Sequence, residues 1–232
     1  MNYLDQPRLD ALSSQAFRDQ QPYPWLNPEG LLTDDAFLRL ADSLPDLSQF
    51  ESQFERTRKF SQQSHDRFAL AHGPDLELSP AWRNFIAELQ GDRYREFISR
   101  LFGTKRFRLR FQWHYTPRGC SVSPHCDSHA KLGSHIFYFN PAGEWKRSWG
   151  GGTLILDARG RFSRRSNPSF EEFDTRIATD PIGNRSLIFQ RLGNTWHGME
   201  SLRCPEDRMR RVFIVVIEHG WHLERLLSGW RF

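Results

Sequence analysis

The chain contains nothing close to the roughly 20 consecutive apolar residues that a membrane-spanning helix requires. Its apolar stretches, such as FIVVI at Phe213 to Ile217, are far shorter, and a soluble protein is expected. The opening residues, MNYLDQPRLD, carry acidic groups and no apolar core followed by a small-residue cleavage site. Export by that route is not indicated, and a cytoplasmic location is the default expectation. Cysteine is scarce: Cys120, Cys126 and Cys204 cannot form a fully paired disulfide framework, and no paired Cys-x-x-Cys signature for structural zinc occurs. The thiols are read as reduced. Lysine is scarcer still relative to its usual share, with only Lys59, Lys105, Lys131 and Lys146 among 32 basic residues. The net charge of +4 is too small to identify a nucleic-acid binder. Arginine in such excess favours recognition of a carboxylate or phosphate, because guanidinium offers two parallel donors. No internal repeat or linker divides the 232 residues, so one domain with decorations is expected.

What is present falls into a helical part followed by a strand-rich part. Met1 to Pro28 is polar and Pro-marked, and reads as an arm or irregular packing segment. From Thr33, a capping residue is followed by Asp34 and Asp35, and Phe37, Leu40, Ala41 and Leu44 recur at helical spacing until Pro45. Ser79 and Pro80 announce a second helix, with Trp82, Phe85, Ile86 and Leu89 on one side before Gly91. A third runs from Asp92 through Phe97, Ile98 and Leu101 to Gly103. After that the period shortens. From Lys105 to Tyr115, Phe107, Leu109, Phe111 and Trp113 alternate with polar neighbours, the pattern of a strand covered on one side. Ser134 to Phe139, Thr153 to Leu156, Ser186 to Gln190 and Val212 to Ile217 are further strand candidates. Helices first and strands later predicts a sheet-based barrel or sandwich braced by helices.

In PHCDSH, His125 and Asp127 are two apart, so an extended chain points both side chains to one side. Iron(II) in a facial arrangement needs two imidazoles and one carboxylate, and His197 in NTWHGME supplies the second imidazole. His129 makes HCDSH look like a local metal site, and His114, His135, His219 and His222 are further ambiguous histidines. Gly150, Gly151 and Gly152 lack the following Lys-Ser or Lys-Thr of a nucleotide loop and read as positions of close strand passage. RGRFSRRSNPSFEEFD, Arg159 to Asp174, has a basic and an acidic end and reads as a solvated loop.

From Phe107 to Glu218 the chain resembles the prolyl-4-hydroxylase-like group of iron(II)/2-oxoglutarate-dependent dioxygenases. The resemblance is carried by an ordered series: Tyr115, HCD at His125 to Asp127, YFN at Tyr138 to Asn140, WGGGTLIL from Trp149, GNRSLIF from Gly183, HGM at His197 to Met199, and RRVFIVVI from Arg210. It implies a mainly β protein with flanking helices, a double-stranded β-helix (jelly-roll, cupin-like barrel) over about 105–220, with 1–104 as a helical or irregular support region of one oxygenase domain.

The resemblance further implies Fe(2+) held by His125, Asp127 and His197, with 2-oxoglutarate and O2 as co-substrates and ascorbate as a reductant. Arg211 is the preferred clamp for the distal carboxylate of 2-oxoglutarate, with Arg210 and Arg208 as rivals, because one residue of register decides which arginine points inward. Tyr138 would add a hydroxyl donor, and Tyr115 would lie on the co-substrate side. The implied reaction is hydroxylation of an unactivated carbon of a peptidyl, small-molecule or saccharide substrate, releasing succinate and CO2. Asp127 argues against halogenation, where that position is normally vacated. A nucleic-acid demethylase, suggested by Arg159, Arg161, Arg164 and Arg165, and a non-catalytic cupin-like metal-binding protein are the competing readings. The sequence assigns neither an oligomeric state nor a membrane partner.

Overall fold

Residues 2–56, 62, 63 and 65–220 are described by a computed structural model of the chain. His222 lies outside the described residues.

The expected helices form where their caps place them. Thr33 accepts the Ala36 amide at 3.3 Å, and the helix runs Asp34–Asp42 with both acidic residues in its first turn. Ser79 accepts the Trp82 amide at 3.3 Å to open Pro80–Gln90. Asp92–Phe102 ends at Gly103, whose φ of 69° is left-handed. The arm expected before Pro28 is instead structured. Asp5 and Ser13 cap two six-residue helices, Gln6–Ala11 and Ser14–Asp19, which bury Leu9 and Phe17 completely. Six residues give too few turns for an apolar period to register. In chain order the helices are α1 (Gln6–Ala11), α2 (Ser14–Asp19), α3 (Asp34–Asp42), α4 (Pro80–Gln90) and α5 (Asp92–Phe102). No helix among the described residues is long and apolar enough to cross a membrane.

The strands are β1 (Trp25–Leu26), β2 (Glu51–Gln53), β3 (Arg67–Ala71), β4 (Phe107–Pro117), β5 (Val122–Cys126), β6 (Lys131–Tyr138), β7 (Leu154–Asp157), β8 (Thr175–Ala178), β9 (Ser186–Gln190), β10 (Trp196–Met199) and β11 (Met209–His219). They make a seven-stranded sheet in the order β1-β9-β6-β11-β4-β3-β2 and a four-stranded sheet in the order β5-β10-β7-β8. All neighbouring strands in both sheets are antiparallel. This is the jelly-roll architecture expected of the chain.

Strand alternation gives the larger sheet two different faces. Phe107, Phe111, Trp113 and Tyr115 of β4, with Phe213, Val215 and Ile217 of β11, join one core with the helices. Trp82 of α4 is its centre, with ring centroids 5.0 Å from Phe213 and 5.2 Å from Trp113 and from Phe139. On the other face Val212, Ile214 and Val216 pack with Ile136, Tyr138, Leu187 and Ile155 between the sheets. The polar residues of β4 line the cavity: Gln112 and His114 look into the barrel, and Arg110 stands half exposed at its edge. Gly152 shows how closely chains pass beside β7, since a Cβ there would sit 2.0 Å from the Thr179 carbonyl oxygen.

Candidate metal centre

β5 and β10 lie side by side, and their register sets His197 directly opposite His125. Side chains on opposed residues of adjacent strands share a face, and Asp127, two residues beyond His125, returns to that same face. One potential ligand atom from each of His125, Asp127 and His197 lies within 4.8 Å of the others, and all three residues are buried. The imidazoles are held in matching states. Nδ1 of His125 is 2.9 Å from the Ser123 carbonyl oxygen, and Nδ1 of His197 is 3.2 Å from that of Thr195. Each Nδ1–H donates to its carbonyl, which leaves the Nε2 lone pair for a cation.

Asp127 is divided between two duties. Lys131 Nζ donates to Oδ1 at 2.7 Å, whereas Oδ2 lies 4.0 Å from His197 Nε2. Burial alone would raise its pKa, but Lys131 and then His197 outweigh that and hold the carboxyl below its usual range. Two imidazoles that present Nε2 and one carboxylate are the donor set that suits iron(II) with positions left open. The intervening Cys126 packs against the cluster around Trp196, and burial pushes its thiol up to about 12, so it stays protonated and is a poor ligand.

The three residues open onto a cavity of about 470 Å³ whose wall also includes Arg210. Arg210 is buried. Its Nε donates to the Gly151 carbonyl at 2.5 Å and Nη2 to Thr153 Oγ1 at 3.4 Å, and the guanidinium lies 5.3 Å from the Tyr138 ring centroid. The Tyr138 hydroxyl is in turn 3.1 Å from Thr153 Oγ1 and 3.0 Å from Thr179 Oγ1. No carboxylate of the described residues pairs with Arg210.

The register places the other expected co-substrate residues elsewhere. Arg211 is on the opposite face of β11, outside the cavity lining, with Nη2 3.5 Å from Glu144 Oε2. Arg208 is more exposed and pairs with the same Glu144 at 3.0 Å. Tyr115, opposite Arg211, follows it to the helix side: its hydroxyl donates to the Pro45 carbonyl at 3.0 Å and its ring lies tilted against Phe50, centroids 4.2 Å apart. Its neighbour His114 takes the inward place. Burial, then Arg67, Arg210, Lys131 and His65, press the His114 pKa well below 6.5, so its ring is neutral. Nothing in the apolar pattern separates the two faces of β11, because Val212 to Ile217 are all buried.

His65, which the sequence did not single out, lines the cavity with its ring centroid 4.3 Å from that of His125, whereas His129, His135 and His219 stand apart from the cluster. His129 is exposed on the surface, its Nδ1 2.9 Å from Arg191 Nη2. His135 is fully buried on the helix side, its Nδ1 3.0 Å from the Tyr94 hydroxyl. His219 is the last residue of β11. In the loop from Arg159 to Asp174, Arg161 pairs with Asp174 at 3.1 Å, so the loop's basic end is tied to its own acidic end. Lys131 was not singled out by the sequence. Its spacing of four from Asp127 was the available signal, but only the turn into β6 brings the two together.

No protein-family model matches the sequence, and no curated protein does. Solved structures do match. A prolyl-4-hydroxylase from Pseudomonas putida is similar over 89% of this chain and 98% of its own, with a TM-score of 0.64 and 15% identity. A prolyl hydroxylase from Trichoplax adhaerens, solved with a hypoxia inducible factor oxygen degradation domain peptide fragment, is similar over 96% of this chain and 94% of its own, with a TM-score of 0.66 and 16% identity. The non-heme alpha ketoglutarate dependent carbocyclase SnoK from nogalamycin biosynthesis is similar over 94% and 92%, with a TM-score of 0.63 and 13% identity. At such identities the likeness is one of fold.

Proposed function

We propose that the chain is an iron(II)- and 2-oxoglutarate-dependent dioxygenase that hydroxylates an unactivated carbon of its substrate, with succinate and CO2 as co-products. The observation that carries this reading is a pairing within one cavity. Two imidazoles and a carboxylate converge at one place, and Arg210, a buried cation with no carboxylate partner among the described residues, lines the same space. A buried guanidinium left to neutral acceptors is poorly compensated, and an anionic ligand would complete it.

His125, Asp127 and His197 would hold the iron, which when bound supplies oxygen activation and the radical chemistry on the substrate carbon. The protein's own residues do the rest. The Ser123 and Thr195 carbonyls hold both imidazoles with Nε2 presented, and Lys131 fixes the carboxylate by its other oxygen. Arg210 would take the distal carboxylate of 2-oxoglutarate, and Tyr138 and Thr153 hold the guanidinium in place. Ile136, Ile214 and Phe189 line the cavity with apolar surface that limits water beside the reacting carbon. The retained Asp127 favours hydroxylation over halogenation. Two of the similar folds belong to prolyl hydroxylases, which supports the same reaction type without fixing the substrate. Three unpaired thiols fit a reducing compartment such as the cytoplasm.

Purified protein given iron(II), ascorbate and 2-oxoglutarate should form succinate slowly, and faster once a substrate is present. His125→Ala and Asp127→Ala should lose bound iron and succinate formation together. Undiminished succinate formation in either variant, at equal folding, would overturn the assignment.

A further inference from the structure

Of the three candidate ligands, two are placed by strand pairing and one is not. His125 and His197 face each other in the ladder between β5 and β10, which ends where Cys126 opposes Trp196. Asp127 lies just past that end, in the turn 127–130 between β5 and β6. The far side of the turn is tied by backbone bonds, from the His219 amide to the Ala130 carbonyl at 2.9 Å and from the Arg191 amide to the Leu132 carbonyl at 2.7 Å. At the near side the tie is a side chain.

Arg191 Nε donates to the Asp127 carbonyl oxygen at 3.0 Å, and Nη2 of the same guanidinium is 2.9 Å from His129 Nδ1. A guanidinium has no acceptor, so Nδ1 accepts and Nη2 donates. One planar fork thus spans two residues of the turn, a geometry that a single ammonium does not reproduce. No carboxylate of the described residues pairs with Arg191, so its side chain is committed to this turn. Arg191 also opens the link 191–195 from β9 to β10, in which the Thr195 carbonyl orients His197. Lys131 grips the Asp127 carboxylate from the same stretch of chain and moves with it. Arg191 reaches in from the stretch that leads to His197.

We infer that Arg191 is a positioning residue of the metal centre, one that fixes the main chain of Asp127 relative to His197, with His129 as the rest that aligns the guanidinium. This role presupposes the metal centre read above, but neither 2-oxoglutarate nor a substrate. A ligand set works only when held to within about 0.5 Å of its geometry. The ladder does that for His125 and His197, and Arg191 does it for Asp127.

Calorimetric titration of the whole chain with cobalt(II), with the visible d–d absorption of the bound ion recorded alongside, tests this. Arg191→Met should weaken cobalt binding about tenfold and shift the d–d bands, because the carboxylate no longer meets the ion in the same place. Arg191→Lys, which keeps the charge and one donor, should recover part of that affinity and remain about threefold weaker than the unaltered chain. His129→Ala should move both readouts in the same direction as Arg191→Met, by less. Arg185→Met is the comparison. Arg185 ties segments outside the cavity lining, to Glu29 at 2.6 Å and Asp180 at 3.2 Å, so its loss should change cobalt affinity less than about twofold. A loss in Arg191→Met no greater than in Arg185→Met, with unmoved bands, would overturn the role, and so would a lysine variant as weak as the methionine one. Should Arg191→Met not fold, Arg191→Lys decides alone, and affinity and bands equal to those of the unaltered chain would overturn the role. If the unaltered chain binds no cobalt, the metal-centre reading falls and takes the role with it. If it binds cobalt and the Arg191 substitutions change nothing, the reading stands and the role alone falls.

Discussion

Arg210 and Arg211 are chain neighbours with opposite fates, and truncating each should give opposite results. Arg210→Ala removes a charge-assisted interaction worth about 1.5 to 3 kcal/mol, and so should weaken 2-oxoglutarate binding by roughly tenfold to a hundredfold. Arg211→Ala removes a contact to Glu144 outside the cavity and should leave that binding nearly unchanged. Titration of both folded variants with the co-substrate decides it, and loss in Arg211→Ala alone would reverse the assignment. Lys131 allows a second test. Lys131→Met leaves Asp127 buried without its main cation, so the carboxyl's pKa should rise and metal affinity should fall by about 10- to 100-fold. Lys131→Arg should recover part of it, a rescue that mere loss of packing would not show. The candidate metal residues were legible in the sequence through their types and order. Which arginine faces the cavity was not, because both flanks of β11 are apolar and a single residue of register separates inside from outside.

At the scale of elements, the pairing of β5 with β10 makes the candidate centre, and a bound metal would bridge the two strands. Metal at a hundred times its dissociation constant adds about 2.7 kcal/mol, which for a chain of this size raises Tm by roughly 5 to 10 °C. Chelation should reverse that shift, and no shift in protein shown to bind the metal would exclude such a bridge. Gly198 sustains the same pairing. A Cβ there would meet the Val122 carbonyl oxygen at 2.7 Å and the Phe170 ring, so Gly198→Ala should push β10 from β5 and reduce metal content at once. The helices and the long strands were legible from caps and periods, since each spans several turns or alternations. α1 and α2 were not, and neither were β2, β3 and β8, because three to six residues carry too little pattern. The polar side of β4 was legible as a pattern but not as a cavity wall. Only the second sheet turns an outward-looking face into an inner one.

For the molecule as a whole, buried neutral histidines set the response to acid. Burial holds His135 down to about 3, and His114 is depressed in the same direction. An unfolded histidine takes up its proton near pH 6.5. Between those values the unfolded chain binds protons that the folded one refuses, so stability is complete above about 6.5 and falls as the pH drops toward 3. His135 alone contributes a slope of up to about 1.4 kcal/mol per pH unit in that window. Urea midpoints measured at pH 7 and pH 5 should therefore fall together with pH, and less steeply in His135→Phe. An equal decline in that variant would assign the effect to other groups.

The same long strand that bears Arg210 also pairs, at Val216, with Arg110. Six residues separate these two levels, about 20 Å of backbone at roughly 3.3 Å per residue. A strand locked between two neighbours does not stretch, so the span from the proposed co-substrate anchor at Arg210 to the exposed edge of the cavity at Arg110 is fixed. The consequence is a limit on reach. In a series of linear substrates of increasing length, turnover should rise to one length and fall once the chain outgrows that span. Turnover that stays level along the series would expose the opposite, a cavity that does not gauge its substrate.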